Sequence, residues 1–566
     1  MNTQIKLYIA ELIKKVGVEG EIEIVVPKDT SMGDFSFACF SLAKSFQKNP
    51  AEVAKDLEEK LQGQPLELVQ EVRAVGPYLN FFVDAHRVVE MLGKTLDDHY
   101  GEHSLGIGKK YLVEFGCPNP MKAFHLGHLR NLITGESLVR ILQNASYDIV
   151  RLNYQGDVGM HIAKSLYGMY AHLEEFRAMA EKSVKERVEF LGRCYAYGAT
   201  AYEEDEEKKQ EVIAYNDKVY ERDESIQEVY QTARTWSLEY FDTIYEKLGS
   251  SFDRLYFESE MYEEAIKIVD AFLQKGVFKK SEGAIIFEGS KYSLHDRVFI
   301  NSKGFPTYEA KDLALARTHF SDYDPDKILH VVGKDQTEYF KVVFQALEQV
   351  LPQSKGKEFH VVGGYLQLKG DQKMSSRKGN IVTGDQLIDE VQQKVEKIMK
   401  DSEIEEKKEV MEKVTVAALK YTMLKVQVSQ DIAFDMESSV SLSGDSGPYL
   451  LYIVARIKSI LEKAGKEDTT PIQTIPPEIT LAEKKLIMRI GEFPEATLAA
   501  ADGYDPSKIA QYLFTLAQDF NTFYHECPVL QAQGETKEFR LGIIQKVLFV
   551  MERGLTLLGI ETANKM

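Results

Sequence analysis

The sequence predicts a modular α/β protein in three parts: a small α/β unit at the N-terminus, a central α/β domain on a parallel sheet, and an all-α C-terminal domain. Three observations lead there. With 566 residues the chain is too long for a single core. Between Tyr111 and Tyr154 it runs strand, loop, helix, strand, the order of a nucleotide-binding βαβ unit. From about residue 385 onward the apolar residues fall almost wholly at helical spacing.

Taken in order, Ile5, Leu7, Tyr8, Ile9, Leu12 and Ile13 predict an opening amphipathic helix, and Ile22–Val26 a strand ended by Pro27. A polar turn, Asp29–Asp34, leads into a helical stretch beginning near Phe35. Gly76-Pro77 is a turn feeding a strand up to Val83. The polar, Gly-bearing stretch 97–109 reads as a linker. Tyr111–Phe115 is a strand, 127–144 a helix and Asp148–Tyr154 a second strand, followed by a helical insertion over about 164–250 that holds the sole tryptophan, Trp236. Strands resume at Ala284–Phe287, Val298–Ile300, Ile328–Val332 and Phe359–Val362. In the C-terminal part Asp505-Pro506 reads as a capping acid and first-turn proline before Ile509, Leu513, Leu516, Phe520 and Phe523. The domains expected are 1–97, 105–385 with its insertion, a helical connection 386–440, and 441–566.

The balance of 44% hydrophobic and 28% charged residues is that of an ordinary globular protein, and no apolar run is long enough to span a membrane. The opening Met1–Lys6 runs into an amphipathic pattern without a signal-peptide apolar region, so a cytoplasmic location is expected. Cys39, Cys117, Cys194 and Cys527 lie far apart, which argues against a disulfide framework or a structural zinc. A net charge of −19 neither supports nor excludes an RNA partner: local basic patches bind phosphates while overall acidity suppresses non-specific binding.

Two short polar blocks carry the chemistry. Phe124-His125-Leu126-Gly127-His128 sits where the first strand of the βαβ unit hands over to its helix, whose N–H groups can receive an anion. Lys373-Met374-Ser375-Ser376-Arg377-Lys378-Gly379-Asn380, far downstream, offers ammonium, guanidinium, hydroxyl and backbone donors to a polyphosphate leaving group. Alone, the first block is as readily a solvated βα loop and the second a solvated basic turn. Together and in this order they resemble the two signature motifs of class I aminoacyl-tRNA synthetases.

The wider sequence is similar to the arginyl-tRNA synthetase family over nearly its whole length: Cys117–Pro120 through Asn131, Asn153–Asp157, Tyr308–Asp312, Val332–Gln336, Ser446–Tyr449, Leu558–Ile560 and the terminal Met566. The resemblance implies a Rossmann-like catalytic domain, an N-terminal RNA-binding domain and a C-terminal helical anticodon-binding domain. It implies ATP, with Mg²⁺ as its substrate complex, L-arginine and tRNA(Arg) as partners, with tRNA bound before activation proceeds. A monomer is expected. His125, His128 and Lys373 would be catalytic. Pro118, Asn119, Lys122, Gly127, Met374, Ser375, Ser376 and Arg377 would bind ATP with them. Asn119, Glu258, Tyr308, Asp312 and Gln336 would hold arginine, with Glu260 a rival for Glu258. Tyr308 and Asp312, four apart, share a helical face, and carboxylates suit the planar fork of a guanidinium. Tyr78, Asn80, Tyr449 and Met566 are the tRNA-binding candidates, although Tyr78 and Asn80 read equally well as a buried strand entry. The family often has Trp where this chain has Val158, and Gln where it has His161. Two other classes stay open: a small-molecule nucleotidyltransferase, which would not need the C-terminal helices, and a non-catalytic RNA-binding paralogue, which should have eroded His125, His128 or Lys373.

Overall fold

The computed structural model describes residues 1–566 except 28, 371–381, 401, 405, 467–471 and 473; of 30 and 95 the backbone alone is described. The N-terminal sheet is antiparallel, with β1 (Ile24–Val25), β2 (Phe35–Ala38), β3 (Val69–Val75) and β4 (Tyr78–Val83) in the order β1-β2-β4-β3. The helix expected near Phe35 is therefore a strand. Phe35 pairs with Phe81 and Phe37 with Leu79, and Phe35, Ser36 and Phe37 are all buried between neighbouring strands. Burial on both faces erases the alternation that would have marked a strand. A helix after this strand starts at Pro50, where Asn49 and Glu52 form a capping box.

The second sheet is parallel and positions the chemistry. Its strands β5 (Lys110–Glu114), β6 (Asp148–Gln155) and β7 (Arg254–Phe257) come first. A three-stranded antiparallel sheet, β8 (Lys279–Ser281), β9 (Ala284–Phe287) and β10 (Arg297–Ile300), intervenes before β11 (Lys327–Gly333) and β12 (Glu358–Gly363) complete the order β12-β11-β5-β6-β7. The chain builds outward from β5 in one direction and then from β11 in the other. The switch point lies between them, and ligands bind at the carboxyl ends of strands flanking such a point. The helix Leu126–Asn144 lies so close to the sheet that a Cβ on Gly135 would sit 2.2 Å from the Phe115 ring.

Four helices, Met160–Ala171, Val184–Glu204, Glu206–Glu221 and Glu224–Lys247, form most of an insertion between β6 and β7, with Trp236 buried against Phe176. After β12 the chain adds β13 (Leu366–Leu368), which pairs in parallel with β14 (Ile432–Phe434), a strand inside the otherwise helical C-terminal part. Arg130, only 2% exposed, reaches from the helix after the histidines to the carbonyls of Tyr365, Val428 and Gln430 at 2.9, 2.9 and 2.6 Å, tying that helix to the β13–β14 segment. The C-terminal helices include Gly447–Lys463, Leu481–Ile490, Ser507–Glu526 and Gly534–Leu557. They meet the N-terminal unit through Lys484–Asp34 at 2.7 Å. Among the described residues no helix is long and apolar enough to cross a membrane.

Candidate active site

The loop from Phe115 to His125 leaves β5 through left-handed backbone at Gly116, Cys117 and Met121 (φ 80, 47 and 59°). Non-glycine residues in that region are sparse and cluster at functional sites. The insertion clamps the loop: Met121 N donates to Ser237 Oγ (2.9 Å), and Ser165 Oγ donates to Met121 O (3.2 Å).

His125 caps the helix. Its Nδ1 accepts from Gly127 N (3.1 Å) and His128 N (3.3 Å), while His128 Nδ1 accepts from His125 N (3.3 Å). The rings stack with centroids 3.5 Å apart. Burial, helped by Lys122, pushes His125 down to about 4, and burial with His125 and Lys122 holds His128 well below the usual imidazole range. Both rings are therefore neutral at pH 7. Since each Nδ1 accepts a backbone N–H, each Nε2 carries the proton and is a donor. A Cβ on Gly127 would come within 3.0 Å of His125 Cε1, so the glycine makes room for the capping imidazole. Pro118 is buried and Asn119 half-buried in this loop. Lys122, lowered by burial and Lys164, lines a cavity of about 260 Å³ with Tyr240, Thr383 and Asp385.

Lys373, Met374, Ser375, Ser376 and Arg377 lie outside the described residues. The chain on their far side is placed: Thr383 bridges His125 as an antiparallel partner, and Gly384 N donates to Phe124 O at 2.6 Å. A Cβ on Gly384 would lie 2.7 Å from the Phe124 ring. The segment following the second polar block is thus stitched to the first.

A second cluster lies at the ends of β6 and β7. Asn119 Oδ1 accepts from Gly156 N at 3.1 Å, and a Cβ on Gly156 would meet Asn119 Oδ1 at 2.8 Å and Glu258 Oε1 at 2.9 Å. Asp157, fully buried, accepts from Ser259 N (2.9 Å) and Ser259 Oγ (2.7 Å) and pairs with Arg234, fixing the start of the Glu258–Gln274 helix. Glu258 is 4% exposed and its Oε2 binds Lys311. Glu260 turns outward to Arg254 at 3.1 Å. Tyr308 and Asp312 stand on the first turns of the Tyr308–Tyr323 helix. Asp312 accepts from the Tyr339 hydroxyl at 2.7 Å, and its carboxyl is pushed up to about 8, by burial first and then by Glu114 and Glu258 against the opposing Tyr339 and His330. The Tyr154 hydroxyl is buried without a partner among the described residues, with Glu258 and Asp312 both holding it protonated after burial itself. Gln336, after β11, donates to Asp335 at 2.7 Å.

Tyr154, Lys311 and Tyr339 belong to this cluster and were not among the residues singled out from the sequence. Tyr154 and Lys311 lay within quoted motifs without being singled out, and Tyr339 had no local signal. Val158 lines a cavity of about 380 Å³ with Tyr220, Tyr230 and Arg234, and His161 Nε2 donates to Gly156 O at 2.8 Å.

Of the RNA-binding candidates, Tyr78 is exposed and edge-on to exposed Phe40 (5.7 Å), whereas Asn80 is buried with its Nδ2 unpartnered among the described residues. Tyr449 is buried and accepts from Asn521 Nδ2 at 2.7 Å, a packing role. Met566 lines a groove of about 650 Å³ with Tyr452, Arg456 and Tyr524. Arg456 lies 4.3 Å from the Tyr524 ring centroid.

Residues 92–436 match the family model of the class I tRNA synthetase (R) catalytic domain, 450–566 that of the DALR anticodon-binding domain, and 3–83 that of the arginyl-tRNA synthetase N-terminal domain. The chain is 33% identical to the arginine–tRNA ligase of Clostridium perfringens, over 99% of this chain and 100% of that protein. It is 32% identical to that of Lactococcus lactis, over 97% of each. Among solved structures it is similar to arginyl-tRNA synthetase of Thermus thermophilus (TM-score 0.80, 25% identity, all of both chains). It also shares its fold with the Plasmodium falciparum enzyme (TM-score 0.76, 19% identity, 100% of this chain and 99% of that one).

Proposed function

The chain belongs to the arginyl-tRNA synthetase family, and from that premise we propose how its residues divide the reaction. It joins arginine to tRNA in two steps. The carboxylate of L-arginine attacks the α-phosphorus of ATP and pyrophosphate leaves. The terminal adenosine of tRNA(Arg), through its 2′-hydroxyl in our reading, then attacks the arginyl carbonyl and AMP leaves. No side chain need act as nucleophile, so the protein's part is positioning and charge stabilisation.

The observation that carries the assignment is the neutral, stacked pair His125–His128 at a helix N-terminus, bridged to the segment that follows the Lys373 block. The two Nε2–H groups donate to phosphate oxygens and add no competing acceptor. Pro118, Asn119, Lys122 and Gly127 shape the ATP site. Lys373 neutralises charge developing on pyrophosphate, with Met374, Ser375, Ser376 and Arg377 completing that loop. ATP enters as its Mg²⁺ complex, a substrate. Glu258, Tyr308 and Asp312 hold the guanidinium, and Asn119 and Gln336 face the backbone end of the amino acid. Glu258 is preferred to Glu260 because Glu260 is paired outward. Tyr78 and Met566, with Tyr452, Arg456 and Tyr524, belong to the tRNA-binding surfaces; Asn80 supports the first, and Tyr449 the last group, from the core. The domains are 1–97, 105–385, 386–440 and 441–566, in a cytoplasmic monomer.

ATP–pyrophosphate exchange with all twenty amino acids, with and without total tRNA, tests the reading. Exchange with arginine alone, and only with tRNA, is expected, and Lys373→Ala should lose it while remaining folded. Exchange with another amino acid would overturn the pocket.

A further inference from the structure

Lys311 sits inside the amino-acid pocket, yet a cation is the last group a cation-binding site should hold. It is 2% exposed, and its ammonium binds Glu258 Oε2 and lies 4.5 Å from the Tyr308 ring centroid. The pairing uses one carboxylate oxygen. The other, Glu258 Oε1, points at the gap above Gly156 beside Asn119 Oδ1. On the same helix, Asp312 holds a second carboxylate, bonded only to the Tyr339 hydroxyl among the described residues.

We infer that Lys311 is a positioning residue of the arginine pocket: it holds Glu258 by Oε2, supplies the counter-charge to that carboxylate and leaves Oε1 for the substrate guanidinium. The inference rests on the reading of Glu258 and Asp312 as guanidinium partners. Two bare carboxylates in one buried pocket oppose each other's ionisation, and one takes up a proton. A single guanidinium would then meet one charged acid and one neutral one. With Lys311 in place, the liganded pocket holds two carboxylates, one ammonium and one guanidinium, and closes at zero net charge. Removing the ammonium leaves Glu258 facing Asp157 from the β6 loop, Asp312 and Tyr308 from the Tyr308–Tyr323 helix, Tyr154 from β6 and Tyr220 from the insertion, none of them a cation. Burial already raises Glu258 even with Lys311 beside it.

The test compares full-length Lys311→Met, Lys311→Arg, Glu258→Gln and Asp312→Asn in pyrophosphate exchange with tRNA present, separating KM for arginine from KM for ATP. Lys311→Met should raise KM for arginine about tenfold or more, the size of one lost charge-assisted hydrogen bond, and leave KM for ATP within about twofold. Wild-type KM for arginine also falls with rising pH through Asp312, so the readout is the ratio of the Lys311→Met KM to that of wild type. That ratio should shrink as pH rises and Glu258 ionises, and Lys311→Arg should stay near wild type. An unchanged arginine KM would make the pair merely structural. A lowered one would make Lys311 a plug in the substrate's place. Either overturns the inference. If Glu258→Gln and Asp312→Asn also leave arginine KM unchanged, the underlying pocket assignment fails instead. Should Lys311→Met not fold, E258Q/K311M is compared with E258Q: the double variant should bind arginine better, because E258Q strands a buried ammonium beside the guanidinium. Equal or worse binding overturns the inference.

Discussion

Arginine binding should depend on pH through Asp312. Burial above all, with Glu114 and Glu258 adding to it and Tyr339 and His330 opposing, pushes this carboxyl up to about 8 in the free protein. The substrate guanidinium stays charged throughout the accessible range and needs an ionised partner. Below pH 8 each arginine bound must therefore expel a proton from Asp312. At pH 7 about one molecule in eleven has Asp312 ionised, so Kd for arginine should be about tenfold weaker than its high-pH plateau, a difference of about 1.4 kcal/mol, and at pH 6 about a hundredfold weaker. Titration calorimetry at pH 6, 7, 8 and 9, in buffers of different ionisation enthalpy, reads both the affinity and the released proton. The stability of the free protein should move the other way. A carboxyl raised above its unfolded value stabilises the native state fully below about pH 4, and that contribution is lost as pH climbs through about 8. A Kd that stays flat from pH 6 to 9 with no proton release would refute the reasoning.

Two further outcomes follow from geometry. Gly156→Ala drives a methyl to 2.8 Å from Asn119 Oδ1 and 2.9 Å from Glu258 Oε1; overpacking of about 1–3 kcal/mol should appear as a higher arginine KM in pyrophosphate exchange, with KM for ATP little changed. His330 bridges Glu114 Oε1 (3.1 Å) and Glu358 Oε2 (2.7 Å) on adjacent strands, and it stays protonated up to about pH 10 because those carboxylates outweigh its burial. His330→Leu leaves two buried carboxylates without their cation and should cost about 3–5 kcal/mol, seen as a lower Tm at pH 7. In the wild type this contribution is complete below about pH 6.5 and is lost as pH rises through about 10.

Local signals in the chain carry only so far, and particular residues show where they stop. The β5–loop–helix unit, the two polar blocks and the Tyr308–Asp312 spacing could be read directly, because a βα turn, a glycine beside a capping residue and a four-residue helical step are set by neighbouring sequence. Ile509 to Phe523 announced a helix for the same reason. The strand at Phe35–Ala38 and the strand Ile432–Phe434 could not be read so, since pairing with Phe81 and with Leu366 comes from partners far along the chain. The protonation state of His125 and His128 depends on burial and on two backbone N–H groups held by the capping geometry. Which of Glu258 and Glu260 faces inward depends on Asp157 anchoring Ser259 and on Arg254 drawing Glu260 out. Lys311 is simply a lysine beside an aspartate in the sequence; burial against Glu258 makes it part of the pocket. The sequence by itself determined the chemistry available and its order along the chain, while the tertiary structure decided which groups are charged, which are paired and which are left open to substrate, because those depend on desolvation and on contacts between residues that no local pattern records.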